Sequence, residues 1–196
     1  GELMKTNKKN LSKKELKERK HRHWVIGVSI GTFFSTMLVT YISDTLLAHT
    51  GLLISFLILF AIIAFGILAD IVGVAVTAVN IEPFNAMAAK KLKGAKTAVS
   101  LVRNAPRVSN VCNDVIGDIC GIVSGATGVS IATQLLRFYP LFNAVVLSLV
   151  MSGCIACLTV GGKALGKDLA MKNSTSIIHG FSVPVATVKI LFKGCE

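Results

Sequence analysis

Six oxygen-bearing side chains punctuate two apolar stretches of the sequence. Asp70, Thr77 and Asn80 lie toward the end of one stretch, and Asn113, Asp114 and Asp118 open the next. Carboxylates, amides and a hydroxyl with no His or Cys pattern among them suit a hard cation such as Mg2+ better than zinc. The same residue types also make interhelical hydrogen bonds, with the Asp protonated, and the sequence leaves both readings open. On insertion scales an Asp at the centre of a membrane helix costs about 2.5 to 3.5 kcal/mol. Each such carboxylate therefore demands a partner. At 1.5 Å per residue Asp70 lies about 14 Å from the nearer end of its stretch, and Asp118 roughly 5 to 12 Å from its own. If the two stretches are neighbours, one cavity takes both as metal ligands together with Asn113, Asp114, Thr77 and Asn80. Asp44 belongs to an earlier stretch, near its outer end, where it reaches water.

The elements that must position these groups are membrane helices. The chain has 196 residues, enough for one domain, with 53% hydrophobic and only 16% charged residues, against about 45 to 50% and about 25% in soluble proteins. Four apolar runs reach the roughly 20 residues needed to cross about 30 Å of hydrocarbon: 24–47, 51–79, 115–136 and 140–160. The second would measure about 43 Å as a straight helix, so it must tilt, bend or protrude. In the third, Gly117, Gly121 and Gly125 recur every four residues, with Ser124 and Gly128 beside them. Such a stripe lets a neighbouring helix or a second subunit approach closely. It also permits a locally open helix whose carbonyls line a cavity.

The chain carries 21 Lys and Arg against 10 Asp and Glu, a net charge of +11. Nine of the bases lie in the first 23 residues, six between Lys90 and Arg107, one at Arg137 and five from Lys163 onward. They sit between apolar runs, without an aromatic platform or recognition motif, so nucleic acid is not an expected partner. Their alternation places both termini in the cytoplasm of a multi-pass protein of the plasma membrane. Gly1 to Leu3 precede Met4 and read as a cloning remnant, while the run after the basic opening is too long for a cleaved signal and reads as a first span.

Two further elements are expected on the basic side. Residues 81–107 form a helical hairpin, with Pro83 in a first turn, Gly94 as a C-terminal cap and Pro106 as the stop of the second helix. Ala95, Ala98, Val99 and Val102 share one face of that second helix. Residues 164–193 form an interfacial amphipathic helix, with Ile177, Ile178, Phe181, Val185, Val188 and Phe192 on one side. His179, Pro184 and Lys189 argue against a fifth crossing there, and Pro184 predicts a kink. Five cysteines are present, and Cys154 and Cys157, although spaced as CxxC, sit among small residues and read as packing residues, as do Cys112 and Cys120. His21, His23 and His49 fall in loops, and Cys195 at the end of the chain.

The order of these pieces resembles the membrane domain of the CNNM/CorC (CorB) magnesium-transport family. "VTAVN" (76–80) stands where that family has a Glu-Thr-Ala stretch, "KLKGAKTAVSLVRNAP" (91–106) is similar to its basic hairpin, "VIGD" (115–118) stands at its "IGN", and "GKDLAMKN" (166–173) resembles its "PKxLAxxN". The resemblance covers roughly 51–192. It implies a homodimer whose membrane domain holds Mg2+ through side-chain and backbone oxygens, with Na+ as a possible coupling ion. Departures fall on the site itself: the family's Ser and Glu fall on Gly73 and Val76, its Asn on Asp118, and its Glu before the "PK" turn on Lys163. Asp70 and Asp118 would have to supply the lost oxygens. The paired nucleotide-sensing CBS domains of that family do not follow, so ATP-regulated gating is not expected, and residues 24–50 form an additional first span.

The expected architecture is therefore all-α and integral to the membrane. A basic segment, 1–23, precedes the extra helix, 24–50, and a membrane domain, 51–196, of three further spans, a cytoplasmic hairpin and a juxtamembrane helix. Two functions compete: binding or transport of Mg2+ across the lipid bilayer, and a non-transporting scaffold or accessory subunit that keeps the fold, which Lys163 at an acidic position favours. An intramembrane enzyme acting on lipid headgroups is disfavoured, because no HExxH, no Ser with His and no matching Asp, Gly and Arg spacing is present.

Overall fold

The structure, a computed structural model, describes the backbone of residues 2–48, 50–139, 141 and 143–193, and side chains within 22–47, 50–139, 141 and 143–187. The expectations for the His21 side chain, His49, Pro140, the side chains of Val188, Lys189 and Phe192, and Cys195 lie outside the described residues. Every described element is helical: α1 (Glu2–Ala48), α2 (Leu52–Ala78), α3 (Glu82–Ala89), α4 (Ala95–Arg103), α5 (Ala105–Asn110), a π-helical turn (Val111–Ile116), α6 (Gly117–Phe138), α7 (Ala144–Lys172) and α8 (Ser174–Lys193). Among the described residues, four helical stretches are long and apolar enough to cross a membrane: Arg22–Leu47, Leu52–Ala78, Ala105–Phe138 and Ala144–Lys172.

Four boundaries differ from the sequence expectation. Helix α1 already begins at Glu2, so His21 and His23 lie on a helix and not in loops, and the other three differ for local reasons. Asn104 ends α4, its side-chain nitrogen donating to the Ser100 carbonyl at 2.9 Å. Pro106 then sits in the first turn of α5 rather than stopping α4, where its missing N–H costs nothing. The third crossing stretch consequently starts at Ala105 instead of 115. Gly94 adopts φ +80° directly before α4, while Lys91 at φ 55° follows the end of α3, so Gly94 caps the second short helix and not the first. The left-handed backbone at Gly94 also lies against Ser182 and Val183 of α8, where a Cβ would crowd both. Finally α7 runs on to Lys172 and the break falls at Asn173, so the last helix starts at Ser174 rather than 164. Ala, Leu, Lys and Met between 164 and 172 are good helix formers, and Gly166 is fixed by packing instead of acting as a breaker.

Contacts set the helix directions. Gly66 meets Cys120 and Gly73 meets Asn113, so α2 and α6 are antiparallel. Gly162 meets Ile67 and Gly166 meets Ile71, so α2 and α7 are parallel. Ser43 bonds Thr127 at 3.1 Å and the Gln134 amide donates to the Leu47 carbonyl at 3.1 Å, which lays α1 parallel to α6. The α1–α2 and α6–α7 links thus share one end of the bundle, and α3, α4, α5 and α8 gather at the other.

That second end has its own core, in which Phe84, Ala98 and Ile178 close over Ala75, Val76 and Val79 of α2. The expected face of α4 is the one used: Ala95 and Ala98 are buried, and Val99 and Val102 pack beside them. A second core joins Leu47, Leu59, Ile63, Ile131 and Ile155. Outward, the spans present large apolar side chains such as Phe33, Leu53, Phe65 and Val145. Small and polar groups inside with bulky apolar groups outside is the arrangement lipid favours, since lipid tails are as apolar as Leu.

Candidate functional site

Gly66, Asp70 and Gly73 occupy positions i, i+4 and i+7 of α2, and so form one stripe along its axis. Asn113, Gly117 and Cys120 repeat that spacing on the facing helix. Because the helices are antiparallel, with Gly73 against Asn113 and Gly66 against Cys120, Asp70 comes level with Gly117. Lys163 enters there from α7. Its Nζ lies 3.7 Å from Asp70 Oδ1, and a Cβ on Gly117 would stand only 3.2 Å from that ammonium.

Each glycine at this level makes room for a specific group. A side chain at Gly73 would overlap the Asn113 amide, and one at Gly162 or Gly166 would run into Ile67 or Ile71. The π-helical turn aims Asn113. It bonds the Gly117 N–H to the Cys112 carbonyl, an i to i+5 closure, and one extra residue in the turn rotates what precedes it by about 100° relative to α6. The amide nitrogen of Asn113 donates to Ser109 Oγ at 3.3 Å, which leaves its oxygen directed at Gly73.

The electrostatics are those of a buried pair with spare acceptors. Asp70 is 6% exposed and Lys163 retains 25% side-chain exposure. Asp70 Oδ2, Asn113 Oδ1 and Thr159 Oγ1 are buried without a hydrogen-bond partner among the described residues. Thr159 lies one turn from Lys163 on α7. An uncompensated buried charge costs about 3 to 5 kcal/mol, so Lys163 is the group that makes Asp70 tolerable. At 3.7 Å the pair is a charge contact, longer than the roughly 2.7 to 2.9 Å of a charge-assisted hydrogen bond.

Of the residues singled out in the sequence, Asp70 and Asn113 share the α2–α6 seam, about one turn apart. Asp114, Asp118, Thr77 and Asn80 are all exposed. The Thr77 hydroxyl is bonded to the Val74 carbonyl at 2.8 Å. Asp70 thus faces a cation of its own chain where a shared cavity with Asp118 was expected. Among the described residues no three His, Cys, Asp or Glu side chains are grouped to hold a metal ion. The glycine stripe of α6 divides: Gly117 admits Lys163, Gly128 admits Ile155, and Gly121 and Gly125 face open space. Cys154 and Cys157 are exposed free thiols, and Cys112 is buried.

Sequence reasoning missed Lys163 as the partner of Asp70 and missed the glycines of α2 and α7. The signal was present: Gly162 and Gly166 at i, i+4 bracket Lys163, at the same spacing as Ile67 and Ile71 on α2. Comparison with protein-family models, with curated proteins and with solved structures returns no match to this chain.

Proposed function

We propose that this chain is a multi-pass membrane protein of the CNNM/CorC type in which the Lys163 ammonium holds the cation position between the spans. On this reading it is a membrane scaffold or accessory subunit and not a Mg2+ carrier. The observation that carries it is the Lys163 to Asp70 contact, 3.7 Å long and closed in by Gly117.

Mg2+ asks for near-octahedral oxygens at about 2.0 to 2.1 Å. The buried seam offers one carboxylate, already balanced by an ammonium, one amide oxygen and one hydroxyl, that of Thr159. A divalent ion added there would leave two uncompensated positive charges at a depth where one is costly. The donor set therefore does not fit a resident Mg2+ while Lys163 is in place. The remaining features follow the resemblance. The end gathering Lys90 to Arg107 and Lys163 to Lys172 faces the cytoplasm of the plasma membrane by the positive-inside bias. There α3 and α4 form the basic hairpin and α8 the juxtamembrane helix, and the open Gly121 and Gly125 backbone is the place for a homodimer contact.

A thermal-shift series with Mg2+, Mn2+, Ca2+ and Na+ on the purified protein tests the reading. No ion should stabilise it at millimolar concentration, and liposomes containing it should show no Mg2+ flux. A Mg2+ stabilisation that disappears in Asp70→Asn would overturn the proposal. That outcome belongs to the second reading, Mg2+ binding or transport with Na+ as coupling ion, which the partnerless Asp70 Oδ2 and Asn113 Oδ1 favour. There Lys163 must leave as the ion enters, and Asp70→Asn and Asn113→Leu should each weaken binding.

A further inference from the structure

At the end of the bundle opposite α3 and α4, helices α1, α2 and α6 border a cleft of about 510 Å³. It lies where two spans finish, since α1 ends at Ala48 and Arg137 occupies the last turn of α6. In a membrane this is the level of the lipid headgroups, about 15 Å from the centre of the hydrocarbon. Asp44 and Arg137 both line the cleft, yet they form no ion pair with each other or with any other described residue. One oxygen of Asp44 accepts from Ser130 Oγ at 3.4 Å, and the other accepts no hydrogen bond among the described residues. The Gln134 amide is committed to the Leu47 carbonyl, which ties α1 to α6 and fixes the cleft between them. Leu52 and Phe138 supply apolar wall.

One acid and one base held apart in a cleft with an apolar wall select for a ligand that is itself a zwitterion and has an apolar extension. A guanidinium presents a planar fork that matches two phosphate oxygens. A carboxylate oxygen without a donor matches a primary ammonium, which has protons to give. A trimethylated ammonium has none and needs an aromatic cage, whereas among the described lining residues Phe138 supplies the one aromatic ring. An anionic glycerol headgroup would satisfy Arg137 and meet repulsion from Asp44. We propose that this cleft binds a phosphoethanolamine group, with Arg137 on the phosphate and Asp44 on the ammonium. The assignment is independent of what occupies the seam at Asp70.

The test uses the full chain, delipidated in detergent, with binding read by native mass spectrometry and by thermal stability. Phosphatidylethanolamine, phosphatidylcholine and phosphatidylglycerol of equal chain length are compared, with glycerophosphoethanolamine as a water-soluble competitor. Phosphatidylethanolamine should bind about tenfold more tightly than either other lipid, the size expected from one charge-assisted hydrogen bond. Arg137→Gln and Asp44→Asn should each erase the preference, and Arg137→Lys should retain part of it. Arg107→Gln, at the other end of the bundle, should leave it unchanged. Displacement by millimolar glycerophosphoethanolamine assigns the site to a free headgroup compound, and resistance to it assigns the site to the lipid. Equal binding of the three lipids, or preferred phosphatidylglycerol binding that depends on Arg137 alone, would show the proposal to be wrong.

Discussion

Asp70 and Asp44 are both carboxylates within membrane-spanning stretches, and the chain treats them in opposite ways. Asp70 is 6% exposed, enclosed by α2, α6 and α7 and set against an ammonium. Asp44 is exposed at the rim of α1, with a serine hydroxyl as its contact. The regions around them differ in the same sense. The seam at Asp70 is built from backbone approaches at Gly66, Gly73, Gly117, Gly162 and Gly166, each filled by a neighbour's side chain. The α1–α6 contact is held at one end by hydroxyls and an amide, and Gly27 and Gly31 farther along α1 face open space. Close glycine packing excludes lipid and water together, and that exclusion makes a charge dependent on its partner. A hydroxyl-linked contact at the rim makes no such demand.

The largest expected effect follows from that dependence. Lys163→Met leaves Asp70 buried and uncompensated, which costs about 3 to 5 kcal/mol in a fully buried pair and less here because Lys163 is 25% exposed. Thermal unfolding in detergent should show a large loss for Lys163→Met and for Asp70→Leu separately. The double variant should recover most of it, because replacing both partners by apolar groups is often neutral. Additive losses would mean that the two residues act independently. Next in size, Gly73→Ala forces a Cβ into the Asn113 amide, and Gly162→Ala forces one into Ile67. Overpacking of this kind costs about 1 to 3 kcal/mol. Gly121→Ala and Gly125→Ala meet nothing within the chain, and in the detergent-separated monomer should be neutral or gain up to about 1 kcal/mol from helix propensity. Equal losses at all four sites would erase the distinction between filled and open glycines.

This contrast also explains what was legible in the sequence. Hydropathy alone locates all four spans, because lipid imposes one rule on every residue facing it. The face of α4 is equally readable, since Ala95, Ala98, Val99 and Val102 repeat at helical spacing. Helix ends were less so. Pro106 and Gly94 each suit two roles, a stop or a start, and the choice depends on Asn104 and on the approach of α8 to Gly94. Least legible was the partner of Asp70. Helix α7 extends through Lys172, which keeps Lys163 inside a span instead of in a polar turn. The π-helical turn that aims Asn113 has no signature in "VCNDVI". Both are products of packing between helices far apart in sequence.

The smallest expected effect probes the weaker region. Ser43 and Thr127 share a buried hydrogen bond of 3.1 Å between α1 and α6. Replacing both, as Ser43→Ala with Thr127→Val, removes donor and acceptor together and costs about 1 kcal/mol or less. Ser43→Ala alone leaves the Thr127 hydroxyl buried and bare, and should cost as much or more. Because α1 is tied to α6 at this end by few polar contacts, loss of Ser43 should loosen α1 without disturbing the seam. Cysteines at Asp44 and Ser130 should crosslink more slowly in Ser43→Ala than in the parent pair, while the Lys163→Met penalty stays the same. A change in that penalty would mean that α1 and the Asp70 seam are one cooperative unit, and would remove the distinction between the two regions.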